Sequence, residues 1–256
     1  MKHNFIDQYS GLDSFVHRLE PRTKLIASLA IILTILLSPP SSWNVFAVDL
    51  LMLLGLVGLA HLPFKYVLRR SLVILPFVVM IAIFIPFFKE GKEVWGWNIW
   101  LWHISLTNEG LSALVNVIIK AWLSMLCLIV LTSSSKFVDL LQGMQQLKAP
   151  AIFVQIISFM YRYIFVLVDQ VMRMQMARDS RNFGGNRWII FKTMGNMIGT
   201  LFIRSYERGE RIYAAMLARG YTGEFPSTSR SQFRLTDATF SAALAVLLVC
   251  PALLWW

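Results

Sequence analysis

Residues 151–181 read AIFVQIISFMYRYIFVLVDQVMRMQMARDSR, and residues 187–220 read RWIIFKTMGNMIGTLFIRSYERGERIYAAMLARG. Gly184-Gly185 lies between the two stretches, and each finishes on an Ala-Arg step, Ala177-Arg178 and Ala218-Arg219. In the first stretch Gln155, Ser158, Arg162, Asp169 and Arg173 recur at helical spacing, which gathers them on one face of a helix. The second repeats the design with Lys192, Asn196, Arg204, Arg208 and Arg211 against an apolar side of Ile190, Phe191, Met194, Met197, Ile198, Leu201 and Phe202. Both are predicted to be long amphipathic helices. They also hold Met160, Met172, Met174, Met176, Met194, Met197 and Met216, a majority of the chain's 12 methionines. Unbranched, adaptable side chains suit a surface that re-packs against a moving partner, or else fill the seam between the two helices.

A membrane span needs about 20 mostly apolar residues to cross roughly 30 Å. The uncharged run from Ala149 to Tyr161 covers only about 20 Å as helix. Arg162, Asp169 and Arg173 would then sit in lipid, each costing on the order of 3 kcal/mol at mid-depth. Lys192 and Arg204 raise the same objection in the second helix. The expectation is therefore two helices at the membrane surface or in the cytoplasm, packed on each other and on a membrane domain.

The rest of the chain supplies that domain. With 57% hydrophobic residues, the 256-residue chain exceeds the apolar content of soluble domains, about 45–50%. It is an integral membrane protein by composition. A net charge of +10 would suggest nucleic acid in a soluble chain. No aromatic-basic module and no zinc-ligand spacing accompanies it, so no nucleic acid partner is expected. Cys127 and Cys250 stand alone in apolar segments and imply no disulfide framework. The first 24 residues carry Asp7, Asp13 and Glu20 as well as Arg18, Arg22 and Lys24, unlike a signal peptide, so the N-terminus is expected to be retained.

Taken in order, residues 1–23 form a cytoplasmic arm. Spans follow at Leu25–Leu37, Trp43–Ala60, Ser71–Phe88 (interrupted by Pro76 and Pro86) and Leu111–Thr132, and the last is Ala238–Trp256. Between the third and fourth, Trp95, Trp97, Trp100 and Trp102 read as an interfacial belt. Ser133-Ser134-Ser135 is expected to cap a short amphipathic helix, Lys136–Leu147, stopped by Pro150. Domain boundaries are predicted at 1–23, 24–132, 133–236 and 237–256. Residues 133–236 hold 14 Lys/Arg against 6 acids, whereas residues 89–110 hold two lysines against three acids. The positive-inside rule then places the N-terminus and the long helices in the cytoplasm of a multi-pass plasma (inner) membrane protein. The fold class is all-α: about five transmembrane helices plus a cytoplasmic coupling domain of one short and two long crossed helices.

Ser112, Asn116, Lys120 and Ser124 recur every four residues along the fourth span as one polar ridge. It reads as a contact for a partner subunit, part of a solute path, or a hydrogen-bonded seam within the bundle. Asp49, near the outer end of the second span, is a candidate partner for Lys120 or simply reaches the interface. Asn116, Lys120, Ser124, Arg162 and Asp169 are the candidate intramembrane or partner contacts. No phosphate loop, HExxH, GxSxG or paired-carboxylate pattern is present. His3, His17, His61 and His103 are dispersed. No catalytic residue, cofactor or metal site is expected, and the protein is read as no enzyme.

Certain motifs resemble a known family. His17-Arg-Leu-Glu-Pro-Arg-Thr-Lys24, Tyr161-Arg-Tyr-Ile-Phe-Val-Leu-Val-Asp169, the Ala177-Arg178 end and Ala218-Arg219-Gly220-Tyr-Thr-Gly-Glu-Phe225 look like the T component of energy-coupling-factor (ECF) importers. The likeness is to its cobalt-transport branch, CbiQ, and covers almost the whole chain. The resemblance implies a non-catalytic coupling subunit between two cytoplasmic ABC ATPase subunits and a small substrate-binding membrane subunit. It also implies cobalt(II) as the solute, although nickel or a vitamin suits the residues equally. A stand-alone channel or secondary transporter is the competing class, but repeat-related halves are not evident. Carried over residue by residue, the ATPase-contacting ends are Ala177-Arg178-Asp179 and Ala218-Arg219-Gly220. Asp179 departs from the family pattern, where glycine is usual. An arginine at a helix C-terminus complements the dipole and presents a two-pronged donor to a carboxylate; ordinary helix stopping would use the same residues.

Overall fold

The computed structural model describes residues 14–39, 43–88, 93–99, 102–181, 187–223 and 235–253. In chain order the elements are α1 (Phe15–Arg18), α2 (Pro21–Leu37), α3 (Trp43–Leu59), α4 (Phe64–Leu72), α5 (Leu75–Ala82) and α6 (Ile85–Phe88). The strands β1 (Glu93–Ile99) and β2 (Trp102–Thr107) follow. The remaining helices are α7 (Asn108–Ser134), α8 (Phe137–Gln146), α9 (Ala151–Asp179), α10 (Arg187–Ala218) and α11 (Leu235–Leu253). The chain forms two compact units, one of residues 2–143 with 231–256 and the other of 144–230, so the boundary falls inside α8.

In the first unit α2, α3, α7 and α11 enclose a core that includes Ile31, Ile35, Leu53, Leu123 and Ile129. Helices α2 and α7 run antiparallel: Lys24 lies by Ser134, Ser28 by Cys127, and Ser38 by Lys120. Polar groups are buried alongside that apolar core, Lys24, Ser28, Asp49 and Ser71 among them, while the outer surface carries Leu29, Leu36, Leu37, Phe77 and Ile81. Buried charged groups under an apolar exterior are what a bilayer selects.

The expected third span is broken into pieces. Pro76 opens α5 and Pro86 lies in α6, because proline offers no amide to continue a helix through it. Pro86 also packs against α7 so closely that a Cβ on Gly110 would stand 2.6 Å from its Cα. The all-α expectation has one departure. The tryptophan-rich stretch read as an interfacial belt forms an antiparallel hairpin, with Trp97 opposite Ile104 and Ile99 opposite Trp102. Tryptophan, valine and isoleucine in near alternation favour an extended strand over a helix. The serine cap also differs. Helix α7 runs on through Ser134, whose hydroxyl bonds back to Leu131 O, while the Ser133 and Ser135 hydroxyls are buried without a hydrogen-bond partner among the described residues. Thr222–Thr236 and the end of the last span lie largely outside the described residues, as do His3 and Trp100.

The second unit is built on α9 and α10. Gln155 meets Tyr221, Gln170 meets Arg208, and Arg178 lies with Met194 and Met197, so the two helices run in opposite directions. The half-buried side of α10 is a stripe through Thr193, Met197, Leu201, Arg208, Ile212 and Met216. Its other side leaves Trp188, Phe191 and Phe202 bare, at 69–75% exposure. Both α7 (27 residues) and α9 (29 residues) are long and apolar enough to cross a membrane.

Candidate functional site

The two arginine-tipped ends differ in construction. At the end of α10, Gly220 takes a left-handed φ of +79°, Gly220 N donates to Leu217 O at 3.0 Å and Tyr221 N to Met216 O at 3.1 Å. This pair of bonds closes the last turn, and only glycine enters that conformation without a Cβ clash. Arg219 therefore occupies the capping position, exposed beside Ala218. At the end of α9 no left-handed residue occurs among the described residues. Arg178 is still inside the helix, and Ser180 caps it, with its amide and hydroxyl both reaching Met176 O at 2.9 and 2.8 Å.

Arg178 is also already engaged. Its Nε and Nη2 donate to Asp179 Oδ1 at 2.9 and 2.8 Å. The arginine side chain is 23% exposed and the aspartate 63%. The stem of Arg178 lines a small apolar cavity with Val171, Met174, Met194, Met197, Ile198 and Leu201. Methionines thus sit in the seam between the helices, where their flexible thioethers fill irregular space. The two ends lie at opposite extremes of the antiparallel pair. Arg219 is near the level of Gln155, and Gln155 to Arg178 along α9 is roughly 35 Å at about 1.5 Å per residue.

Gln155 fixes the second end in place. Tyr221 Oη donates to Gln155 Oε1 at 3.0 Å, and Gln155 Nε2 donates to Gly223 O at 3.1 Å. Sequence reading put Gln155 on the polar face of α9 but gave it no partner. The clue was the tyrosine-glycine pair just past Arg219. Halfway along, Arg208 Nη2 donates to Gln170 Oε1 at 3.4 Å. Arg162 is exposed and Asp169 half-buried on α9.

The ridge of α7 resolves residue by residue. Ser112 and Asn116 bond back onto their own helix, to Glu109 O at 2.9 Å and Ser112 O at 2.7 Å. Ser124 is half-buried. Lys120 Nζ crosses to α2 and donates to Leu36 O at 2.9 Å and Ser38 O at 2.7 Å, carbonyls at that helix's C-terminal end. Its partner is thus the negative end of a helix dipole and not Asp49, which is buried on α3 with Oδ2 lacking a hydrogen bond among the described residues. Lys24 does the same in reverse. From the start of α2 its Nζ reaches Ser134 O, at the end of α7, at 2.9 Å, and His17 O at 3.0 Å. Beside it the amide of the buried Glu20 donates to Asp237 Oδ1 at 2.9 Å, and Arg22 pairs with Glu20. The motif from His17 to Lys24 is thus the joint that gathers α2, α7 and α11 at one end of the bundle. No group of three or more His, Cys, Asp or Glu placed to hold a metal occurs among the described residues.

A helical unit that buries Lys24, Asp49 and several serines beside its apolar core while turning leucine, isoleucine and phenylalanine outward is an integral membrane protein. More narrowly, the chain belongs to the cobalt transport protein family, CbiQ, whose family model matches residues 13–230; this is the T component of ECF importers. The chain is 26% identical to the energy-coupling factor transporter transmembrane protein EcfT of Listeria innocua, over 100% of this chain and 98% of that one. Its similarity to the EcfT of Ruminiclostridium cellulolyticum is 26% over 90% and 88% of the two chains. An uncharacterized protein of Methanocaldococcus jannaschii is 27% identical over 92% and 81%.

Proposed function

We propose that this chain is the non-catalytic coupling subunit of an ECF importer, passing the closure of two cytoplasmic ATPase subunits to a small substrate-binding membrane subunit. The observation that carries this reading is the pair of arginine-bearing ends set roughly 35 Å apart at opposite extremes of one antiparallel helix pair. Ala177-Arg178-Asp179 docks on one ATPase and Ala218-Arg219-Gly220 on the other. Each arginine offers a rigid fork to a carboxylate in its partner's groove. The coupling domain, residues 133–236, contains the whole of the second unit, and the bare apolar side of α10 is where the substrate-binding subunit and the bilayer surface lie. ATP hydrolysis belongs to the partners. The solute is cobalt(II), as the family description has it, selected by the substrate-binding subunit. The plasma membrane is crossed five times, by α2, α3, the α5–α6 segment, α7 and α11, with the N-terminus in the cytoplasm.

The test is to express the whole complex with Arg178→Ala, Arg219→Ala or both. Each single change should weaken ATPase retention by about tenfold, as expected when one charge-assisted contact worth about 1.4 kcal/mol is lost. The double change should abolish cobalt uptake while the protein still inserts. Wild-type uptake by the double variant would end the reading. In a second reading α9 is itself a membrane span, and one observation favours it: α9 is long and apolar enough to cross.

A further inference from the structure

Helix α4, residues 64–72 with sequence FKYVLRRSL, takes no part in the coupling described above. Its faces are laid out in order around the axis. Val67 and Ser71, one turn apart, are buried to 2% and 1% exposure. The next stripe is Phe64, Leu68 and Leu72, each four residues on and exposed by 57%, 38% and 50%. Beyond it Lys65 and Arg69, again four apart, are exposed, and the helix contains no acid. Arg70 stands on a different side and is committed internally. Its Nη1 donates to Tyr66 Oη, and the guanidinium lies 5.7 Å from the centre of that ring.

A bare leucine-phenylalanine stripe bordered by a cationic one does not suit water or the middle of a bilayer. It suits the boundary, where apolar side chains enter the acyl region and lysine or arginine heads stay with the phosphates. Helix α3 precedes α4 and α5 follows it, both strongly apolar, so the chain arrives at and leaves α4 from lipid depth. The charge is of one sign, and a lipid carrying the opposite sign complements it.

We propose that α4 is a binding surface for anionic phospholipid of the surrounding bilayer, with Lys65 and Arg69 on the headgroup phosphate and Phe64, Leu68 and Leu72 among the acyl chains. Each of the two cations contributes about fivefold in affinity. Arg70 contributes little, because it stands on a different side from the apolar stripe and Tyr66 draws its guanidinium back along the helix.

The experiment titrates the full-length chain in detergent with phosphatidylglycerol or phosphatidylcholine and counts bound lipid by native mass spectrometry. Wild type should prefer phosphatidylglycerol. The pair Lys65→Gln and Arg69→Gln should lose that preference by about 25-fold while phosphatidylcholine binding stays level, and Arg70→Gln should change it less than twofold. Phe64→Ser with Leu68→Ser should weaken both lipids. All these side chains are exposed or committed to a surface ring, and an unchanged circular dichroism spectrum shows that each variant is folded. Equal binding of the two lipids by wild type would overturn the proposal. So would undiminished preference in the Lys65/Arg69 variant, or a loss in Arg70→Gln as large as in the pair. Displacement of the lipid by inorganic phosphate would assign the site to a free anion. Loss of ATPase binding with lipid preference intact would assign it to a protein partner.

Discussion

At the scale of single residues, the two arginines proposed to meet the ATPases start from different states. Arg219 projects from a glycine-closed turn, whereas Arg178 spends two donors on its own neighbour, Asp179. Adjacent residues on a helix do not share a face, so Arg178 has to fold back to make that pair. An incoming carboxylate must displace it. Exposed ion pairs are worth about 0–1 kcal/mol, so Asp179→Asn should tighten docking of this end by up to about fivefold. The measurement is a titration of the detergent-solubilised chain with the purified ATPase pair, in an Arg219→Ala background that isolates this end. Unchanged affinity would show that the pair does not regulate docking. Asp179 was legible in the sequence as a departure from glycine. What it touches was not, because neighbours in sequence carry no periodicity from which a contact can be read.

At the scale of elements, α2 and α7 each lend a lysine to the other's C-terminal carbonyls, Lys24 to Ser134 and Lys120 to Leu36 and Ser38. Cations there offset the helix dipole where water is scarce. Lys120→Met should therefore lower the unfolding free energy by about 1 kcal/mol, seen as a reduced melting temperature in detergent, and leave cobalt uptake in the complex near wild type. Loss of uptake at unchanged stability would restore Lys120 to a solute path. The four-residue repeat of Ser112, Asn116, Lys120 and Ser124 showed the ridge. Its target, 84 positions away in sequence, could come only from packing. Helix positions were readable where apolar runs were long, as in α3 and α7. The hairpin was not, because its tryptophans satisfy an interfacial reading and a strand reading equally well. The run of serines at 133–135 looked like a cap, yet α7 had hydrogen bonds enough to continue through it.

At the scale of the whole molecule, the proposed coupling role needs α9 to lie along the membrane and not through it. Arg162, Asp169 and Arg173 argue for the surface, and its length and apolar content allow the crossing. Because α9 and α10 are antiparallel, the two cases differ at one end only. Cysteines introduced at Ala149 and Ser180 should both react with an impermeant maleimide in inside-out vesicles and neither in intact cells. Labelling of the two from opposite sides would make α9 a span and remove the basis for coupling at the surface. The sequence spoke for five crossings through its charge bias, a statement about loops. It was silent on how the long helices grip each other, which depends on Gln155 reaching a turn beyond the far end of α10. That grip has a mechanical corollary. The amide of Gln155 holds both Tyr221 and Gly223, so the knuckle bearing Arg219 is tethered to the root of the rod whose opposite extremity bears Arg178. If the two ends dock on ATPases as proposed, a pull at either extremity would be felt as tension along the other rod, and each motor would load its twin as it advances.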